Sequence, residues 1–414
     1  MSRLLLETTN FIKLYRHMVG ISEVPSQYHL WACLSLIASC VSDRVWIEKF
    51  AGSKLTPNLY VVLLGPSGVG KGVAIDLATK FVQDIKRVNF YRGKATGQYI
   101  VQHLGRAKKL ASGQSVLENP KMYLCTPELS MSVGSGPVAD DFIKMMTELY
   151  TGGDYLFQLG TRMYGNVTVR EPCMNWLGGS TKEWFIQSLS RDAIEGGALA
   201  RMVLIPARYD FEKRYTEPQL PYDASEIREH LKWRTIMLCH TEGTFVKTDE
   251  AREVEERWYM QRAIPSDEAM IPTWRRQHDL ALKLAMVLAL ADGGDLVIQR
   301  SHMVAAEQLA HAAEAAVPDV IQLASIPKEH AGYYFVRNFI RQCNRVQRST
   351  LTIKCAKRGI MAQKLTEIIK SLVAEKAIVV EHAERGATFY IWHGRKLPVL
   401  EETTTYEEVG NDPD

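Results

Sequence analysis

The sequence predicts an α/β protein with a mostly parallel sheet, helices before that sheet, a helical region after it and a small basic domain near the carboxyl end. Short apolar runs alternate with helix-like segments through the first half of the chain, which is typical of βαβ units. One of these runs leads directly into a glycine-rich loop. A strongly basic stretch farther along predicts the separate domain.

Length and composition agree with this class. The chain has 414 residues, 46% of them hydrophobic and 23% charged, which suits two or three globular domains and excludes disordered, collagen-like and coiled-coil proteins. No apolar stretch reaches the roughly 20 residues that a membrane-spanning helix needs. The seven cysteines are an odd number without CxxC spacing, so we expect reduced thiols in a cytoplasmic protein with no membrane partner.

We expect five segments in order along the chain. They are an amino-terminal helical region (1–50), an α/β core (51–210), a helical lid region (211–325), a basic domain (326–396) and an acidic tail (397–414). The strands of the core are expected at 59–64, 122–125, 174–177 and 202–205. The first strand is apolar throughout, as parallel strands covered on both faces are. A helix is expected over 73–85, and residues 223–317 have a wholly helical pattern.

The loop after the first strand has the sequence GPSGVGKG and matches seven of the eight positions of G-x-x-x-x-G-K-[ST]. In this pattern, called a P-loop, glycines let successive backbone N–H groups surround a phosphate, and the lysine neutralises its oxygens at a helix N-terminus. We therefore predict an ATP site made by Gly65, Ser67, Gly68, Val69, Gly70, Lys71 and Gly72. Gly72 lacks the hydroxyl that usually holds Mg²⁺, so magnesium is expected to bind through phosphates and water.

A carboxylate follows the second predicted strand. Glu128 is placed to polarise an attacking water, which a P-loop enzyme needs. Pro127 stands where an aspartate usually precedes this glutamate, and Asp140 and Asp141 are weaker candidates for the same role. The alternative is that Glu128 is only a solvated loop residue.

The third predicted strand ends in two glycines followed by Ser180 and Thr181. Their hydroxyls either sense the terminal phosphate or cap the next helix, and the two roles are compatible. Arg191 and Arg201 follow, and Arg201 lies immediately before the fourth strand. An arginine in that place can reach a neighbouring subunit's nucleotide and stabilise charge on the transferred phosphoryl group; the alternative is a surface salt bridge.

This order of features resembles the P-loop helicase and ATPase modules of bacteriophages and mobile elements, often fused to primase-polymerases and similar in layout to AAA+ and superfamily 3 helicases. The resemblance covers roughly residues 20–210, and the segment GGALARMVLI resembles the finger-bearing stretch of minichromosome-maintenance helicases. It implies a ring, usually a hexamer, with Arg201 acting on the adjacent subunit's nucleotide and nucleic acid in the central pore. It also implies DNA contacts from a hairpin over 160–170, through Arg162 and Arg170.

The basic domain follows a different pattern. Residues 337–396 carry 13 Lys/Arg against 4 Asp/Glu, a net charge of +9. Three helical stripes followed by two β-type runs resemble a winged helix-turn-helix. Such a domain would present to a DNA groove and backbone Lys354, Lys357, Arg358, Lys364 and Arg385. A protein-docking module is the alternative.

Together these features predict an ATP-dependent DNA helicase or translocase that acts in phage or mobile-element replication as a ring oligomer, with primase or other replication proteins as further partners. The alternative is an ATP-gated DNA-binding initiator or helicase loader with weak hydrolysis, which Gly72 and Pro127 favour. A small-molecule phosphotransferase would explain the loop but not the basic domain.

Overall fold

We describe the protein from a computed structural model. The structure describes residues 8–104, 107–109, 115–117, 121–133, 137–150, 156–161, 165–190, 193–194, 196–210, 217, 219–293, 295–324, 331–383 and 387–393. The chain forms two compact units, Met1–Ser325 and Ile326–Asp414, which we treat separately.

The first unit alternates helices and strands. Its helices are α1 (Phe11–Val19), α2 (Ser26–Val41), α3 (Lys71–Thr79), α4 (Gly97–Leu104), α5 (Leu129–Val133), α6 (Pro137–Leu149), α7 (Lys182–Ser188), α8 (Ala224–Leu238), α9 (Asp249–Gln261), α10 (Ile271–Asp292), α11 (Arg300–Glu314) and α12 (Val317–Ala324). Its strands are β1 (Val45–Glu48), β2 (Lys54–Leu55), β3 (Tyr60–Leu64), β4 (Phe90–Arg92), β5 (Ala107–Lys109), β6 (Ser115–Leu117), β7 (Lys121–Thr126), β8 (Leu156–Thr161), β9 (Gly165–Arg170), β10 (Cys173–Ser180), β11 (Val203–Pro206), β12 (Gly243–Thr244), β13 (Val246–Lys247) and β14 (Val297–Ile298).

Five strands form the central sheet in the order β11-β3-β10-β7-β4, and all four pairings are parallel. The predicted α/β core with a parallel sheet is therefore confirmed. The edge strand β4 was not predicted. The register sets Ser180 and Pro206 opposite Leu64 and Gly178 opposite Thr126, so the carboxyl ends of four strands meet at one edge.

Helices cover both faces of this sheet because β3 is apolar on both sides. Val61 and Leu63 pack in one core cluster with α1, α2, α3, α8, α10 and α11, which we call face A. Tyr60, Val62 and Leu64 pack in a second cluster with α4, α6, α7 and α12, which we call face B. The amino-terminal helices, the sheet and the helical region thus share face A.

Two details differ from the sequence predictions. The region 223–317 is not wholly helical, because β12 pairs with β1 and β13 pairs with β14. The helix expected over 73–85 ends at Thr79 and continues as turns, in which Val82 N–H bonds to Thr79, Ile85 N–H to Val82 and Val88 N–H to Ile85. This three-residue repeat of apolar side chains imitates helical spacing.

The second unit has three helices and a small sheet. They are α13 (Ala331–Cys343), β15 (Arg345–Gln347), α14 (Arg348–Ala356), α15 (Ala362–Ala374), β16 (Ile378–His382) and β17 (Thr388–Trp392). The antiparallel order is β15-β17-β16, so the sheet has one strand more than the two predicted. Val336, Ile340, Leu351, Ile368 and Leu372 fill its core.

Among the helices that the structure describes, none combines the length and hydrophobicity needed to cross a bilayer. All seven cysteines lie in described parts of the chain and are free thiols, six of them buried.

Candidate functional site

The loop that joins β3 to α3 is bent by two glycines in left-handed conformations. Gly68 has φ +85° and Gly70 has φ +91°, a region that side chains rarely adopt. At Gly70 a Cβ would also lie 2.7 Å from the Val24 side chain. The glycines therefore fold the loop back onto the first turn of α3, as the sequence pattern requires.

Lys71 is the first residue of α3, and its side chain lies inside the loop. Its ammonium donates hydrogen bonds to the carbonyl oxygens of Gly65 and Pro66, both at 2.7 Å. Burial lowers the pKa of Lys71, and the nearby Glu128 carboxylate partly offsets that effect. The loop thus concentrates a cation, a helix N-terminus and backbone amides at one point, which is the chemistry that recognises phosphate.

Glu128 reaches this point although β10 separates its strand from β3. Thr126 ends β7 opposite Gly178, so Glu128, two residues later, lies at the same carboxyl edge of the sheet as the loop, and its carboxylate raises the pKa of Lys71. Two glycines of β10 make this approach possible. A Cβ at Gly178 would lie 2.6 Å from the Leu129 side chain, and a Cβ at Gly179 would lie under 3.0 Å from the Pro127 carbonyl oxygen. The turn that carries Glu128 therefore crosses the bare end of β10.

Trp176 fixes the start of the turn that carries Glu128. Its indole N–H donates to Thr126 Oγ1 at 2.7 Å, and its ring makes edge contacts with Tyr60 and Phe142 at 5.8 and 5.7 Å. Thr126 is the last residue of β7, so this bond fixes the point from which Glu128 projects. The third strand was expected to end at 177, but Gly178 and Gly179 lie within β10, where the Leu129 side chain packs on Gly178 and the Pro127 carbonyl packs on Gly179.

Ser180 and Thr181 lie beside the loop in different roles. The carbonyl of Ser180 accepts a hydrogen bond from Gly65 N–H at 3.1 Å, and its hydroxyl donates to the Thr181 carbonyl at 3.0 Å. Thr181 is the N-cap of α7 and accepts from Trp184 N–H at 3.3 Å. Capping is thus observed for Thr181, while Ser180 contacts the β3–α3 loop directly through Gly65.

The weaker carboxylate candidates lie on α6. Asp140 accepts from Ser190 N–H at 3.2 Å and pairs with Lys144 at 2.8 Å. Burial raises the pKa of Asp140, but the hydrogen bonds from Lys144 and Ser190 outweigh it and leave the pKa below its usual value. Asp140 is therefore engaged in holding α6 to the chain after α7, and Asp141 is exposed.

Arg201 lies at the opposite edge of the sheet from its own loop. It precedes β11, whose first residue, Val203, pairs with Val61 near the start of β3; the rest of β3 puts about 10 Å between it and the loop. Its guanidinium donates to the carbonyl of Gly197 at 3.0 Å, and burial, with the charge of Arg276, lowers its pKa. Arg201 thus lies away from the β3–α3 loop of its own chain. Arg191 lies outside the described residues.

Two tyrosines that the sequence did not single out hold the loop. The Tyr28 hydroxyl, on α2, donates to the Leu64 carbonyl at 2.6 Å and would lie 2.5 Å from a Cβ at Gly65. The Tyr209 hydroxyl bonds to the carbonyl of Ser67. Val69 packs into face A. Neither tyrosine is near the loop in sequence, so no local pattern could have indicated them.

The predicted nucleic-acid residues are partly described. β8 and β9 form the expected hairpin, and Arg170 at its end is exposed. On the second unit, four predicted residues are exposed on or beside α14 and α15: Lys354, Lys357, Arg358 and Lys364. Arg358 stacks over the Phe335 ring at 4.4 Å. Arg162 and Arg385 lie outside the described residues.

No group of three His, Cys, Asp or Glu among the described residues is arranged to hold a cation. No known protein family matches the chain, and a search of curated proteins finds no similar sequence.

Proposed function

We propose that the protein is an ATP-driven motor on DNA, a helicase or translocase that acts in phage or mobile-element replication as a ring oligomer. One observation carries the proposal: a loop bent by Gly68 and Gly70 holds the Lys71 side chain at the carboxyl edge of a parallel sheet, the same edge at which β7 ends two residues before Glu128. The P-loop prediction accounts for all four residues.

The position of the loop in the sheet supports nucleotide binding. The helix after β3 packs on face A through Ala74 and Ile75, whereas the helix after the adjacent β10 packs on face B through Phe185. A crevice opens where neighbouring parallel strands send their helices to opposite faces, and ligands of α/β proteins bind there. The loop lies at this crevice.

Each residue then has a chemical role in phosphoryl transfer to water. Lys71 and the loop amides hold the phosphates, Glu128 orients the attacking water, and Ser180 or Thr181 contacts the terminal phosphate. Arg201 lies too far from its own loop, so in this mechanism a neighbouring subunit supplies it. That requirement is the physical reason to expect a ring.

Magnesium would be held mainly by the phosphates and water. Gly72 offers no ligand atom, although a Cβ there would meet nothing within 4 Å. Mg²⁺ usually keeps several waters and binds through one or two protein ligands, so the site does not exclude it. The missing ligand atom at Gly72 also favours the second candidate, an ATP-gated initiator or helicase loader that binds nucleotide and hydrolyses it weakly.

The second unit supports the DNA half of the proposal. Its order of helix, strand, two helices and two antiparallel strands resembles that of a winged helix-turn-helix, and its apolar side chains fill one core. The exposed Lys354 and Lys357 can contact phosphates, with affinity that falls steeply as salt rises, whereas Lys364 pairs with Glu367 at 3.3 Å. A protein-docking role for this unit remains the alternative.

Two variants test the proposal on the full chain. Lys71→Ala removes the cation from the loop and is expected to abolish ATP binding, whereas Glu128→Gln is expected to bind ATP and lose turnover. DNA affinity at low salt should be unchanged in both. Tight ATP binding by the unaltered protein with no turnover, with or without DNA, would favour the loader; unchanged ATP binding by Lys71→Ala would overturn the site itself.

A further inference from the structure

A row of aromatic side chains lies at the outer edge of the parallel sheet. Tyr91 belongs to the edge strand β4, and Tyr99 and His103 lie one turn apart on α4. The ring centroids of Tyr91 and Tyr99 are 5.3 Å apart, and those of Tyr99 and His103 are 5.9 Å apart with planes inclined by only 22°. Tyr99 is 37% exposed. We call these three side chains the aromatic row.

The row lies in the most one-sided basic part of the first unit. Residues 85–117 contain seven Lys/Arg and no Asp or Glu. Arg92 and Lys94, which follow Tyr91 closely, are exposed. Arg92 pairs with Asp76 at 2.6 Å, and among the described residues no acidic side chain pairs with Lys94. The Tyr91 hydroxyl donates to the Lys94 carbonyl at 2.8 Å, and this bond holds the backbone of Lys94 beside the aromatic row.

The aromatic row lies on a paired strand and a packed helix. Tyr91 is fixed by the pairing of β4 with β7. The helix that carries Tyr99 begins at Gly97, where a Cβ would lie 2.8 Å from the Met145 sulfur, so α4 packs directly on α6. Rings held this way lose little conformational freedom when a planar ligand stacks on them.

We propose that the aromatic row and its flanking cations bind single-stranded nucleic acid, with bases stacked on Tyr99 and phosphates beside Lys94. Aromatic faces next to a basic path bind single strands without sequence preference, because every base has a π-face. A duplex offers no such faces, since its bases are already stacked on each other. This proposal rests on the proposed action on DNA. It gives the first unit a contact with single-stranded nucleic acid that is separate from the second unit.

The test uses the full chain and a fluorescein-labelled oligo(dT) of about 20 nucleotides, measured by anisotropy. Tyr99→Ala is expected to weaken binding about 10-fold, and Tyr99→Phe, which keeps the ring, to restore it. Lys94→Ala should reduce the slope of log affinity against log salt by about one. Tyr222→Ala is the matched control, because Tyr222 is 89% exposed and outside the row.

Photo-crosslinking locates the contact independently of affinity. An oligo(dT) carrying 5-iodouracil is expected to crosslink to the peptide that contains Tyr99. The proposal is overturned if DNA binds but every crosslink falls elsewhere, or if Tyr99→Ala binds as tightly as Tyr222→Ala. Failure of the full chain to bind any DNA would instead remove the proposed function, so the two failures are distinguishable. Basal ATP hydrolysis without DNA should be equal in Tyr99→Ala and the unaltered protein.

Discussion

Replacing Gly179 by alanine tests whether the bare end of β10 is what brings Glu128 to the phosphate loop. The added Cβ would lie under 3.0 Å from the Pro127 carbonyl oxygen, a distance that real Cβ atoms essentially never show. Because the contacted atom belongs to the backbone, the turn carrying Glu128 must move, by about 1 Å for an ordinary contact. A misplacement of that size can cost about 100-fold in turnover, and overpacking costs about 1–3 kcal/mol of stability.

The assay is steady-state ATP hydrolysis with saturating DNA. We expect kcat of Gly179→Ala to fall about 100-fold while the KM for ATP changes little, since Lys71 and the loop stay in place. Gly332→Ala is the control, because Gly332 lies outside the loop and a Cβ there would meet only ordinary contacts at 3.6 Å or more. The double variant Gly179→Ala/Glu128→Gln should have a kcat little lower than that of Glu128→Gln alone. An unchanged kcat in a folded Gly179→Ala protein would refute the role assigned to this crossing.

Three further predictions concern Gly72, Tyr28 and Glu307. Gly72→Ser places a hydroxyl in open space on the first turn of α3, so half-maximal hydrolysis should need less Mg²⁺ than in Gly72→Ala; equal requirements would contradict this. Tyr28→Phe removes the bond to the Leu64 carbonyl, which still accepts from Ala207 N–H, so unfolding experiments should show a loss of about 1 kcal/mol, and the KM for ATP should rise. Burial and the charge of Glu255 raise the pKa of Glu307 to about 7. The folded state therefore holds a proton that the unfolded state releases near its ordinary pKa of 4.5, so the contribution of Glu307 to stability should fall as pH rises from about 4.5 to 7. His29, whose pKa burial lowers to about 4, contributes in the opposite direction, so the test compares two proteins. The difference in unfolding free energy between Glu307→Gln and the unaltered protein should change across this window, and a constant difference would contradict the assignment.

The features that could be predicted from sequence are those encoded by neighbouring residues. The phosphate loop has fixed spacing and a buried strand before it, so its position at the carboxyl edge follows from local pattern. Four of the five sheet strands are apolar runs that both faces of the sheet require. The second unit's three helices have clear apolar stripes, and these stripes fill its core.

The features that escaped prediction depend on contacts between distant residues. The sequence around Gly178 and Gly179 does not show that they continue the strand. Their place in β10 depends on packing against the turn after β7, some 50 residues earlier in the chain. Tyr28 resembles any buried helix residue, and only its bond to the Leu64 carbonyl places it at the site. β4, β12, β13 and β14 have two or three residues each, too short for a period to appear.

The rate of phosphate release from ATP, with and without single-stranded DNA, tests the central claim most directly. For the full chain we expect release that requires Mg²⁺ and rises when DNA is added, and for Lys71→Ala a rate at background under both conditions. Equal release by the two proteins would show that hydrolysis does not occur at the loop between β3 and α3. Release that DNA leaves unchanged would contradict the coupling of this site to a strand.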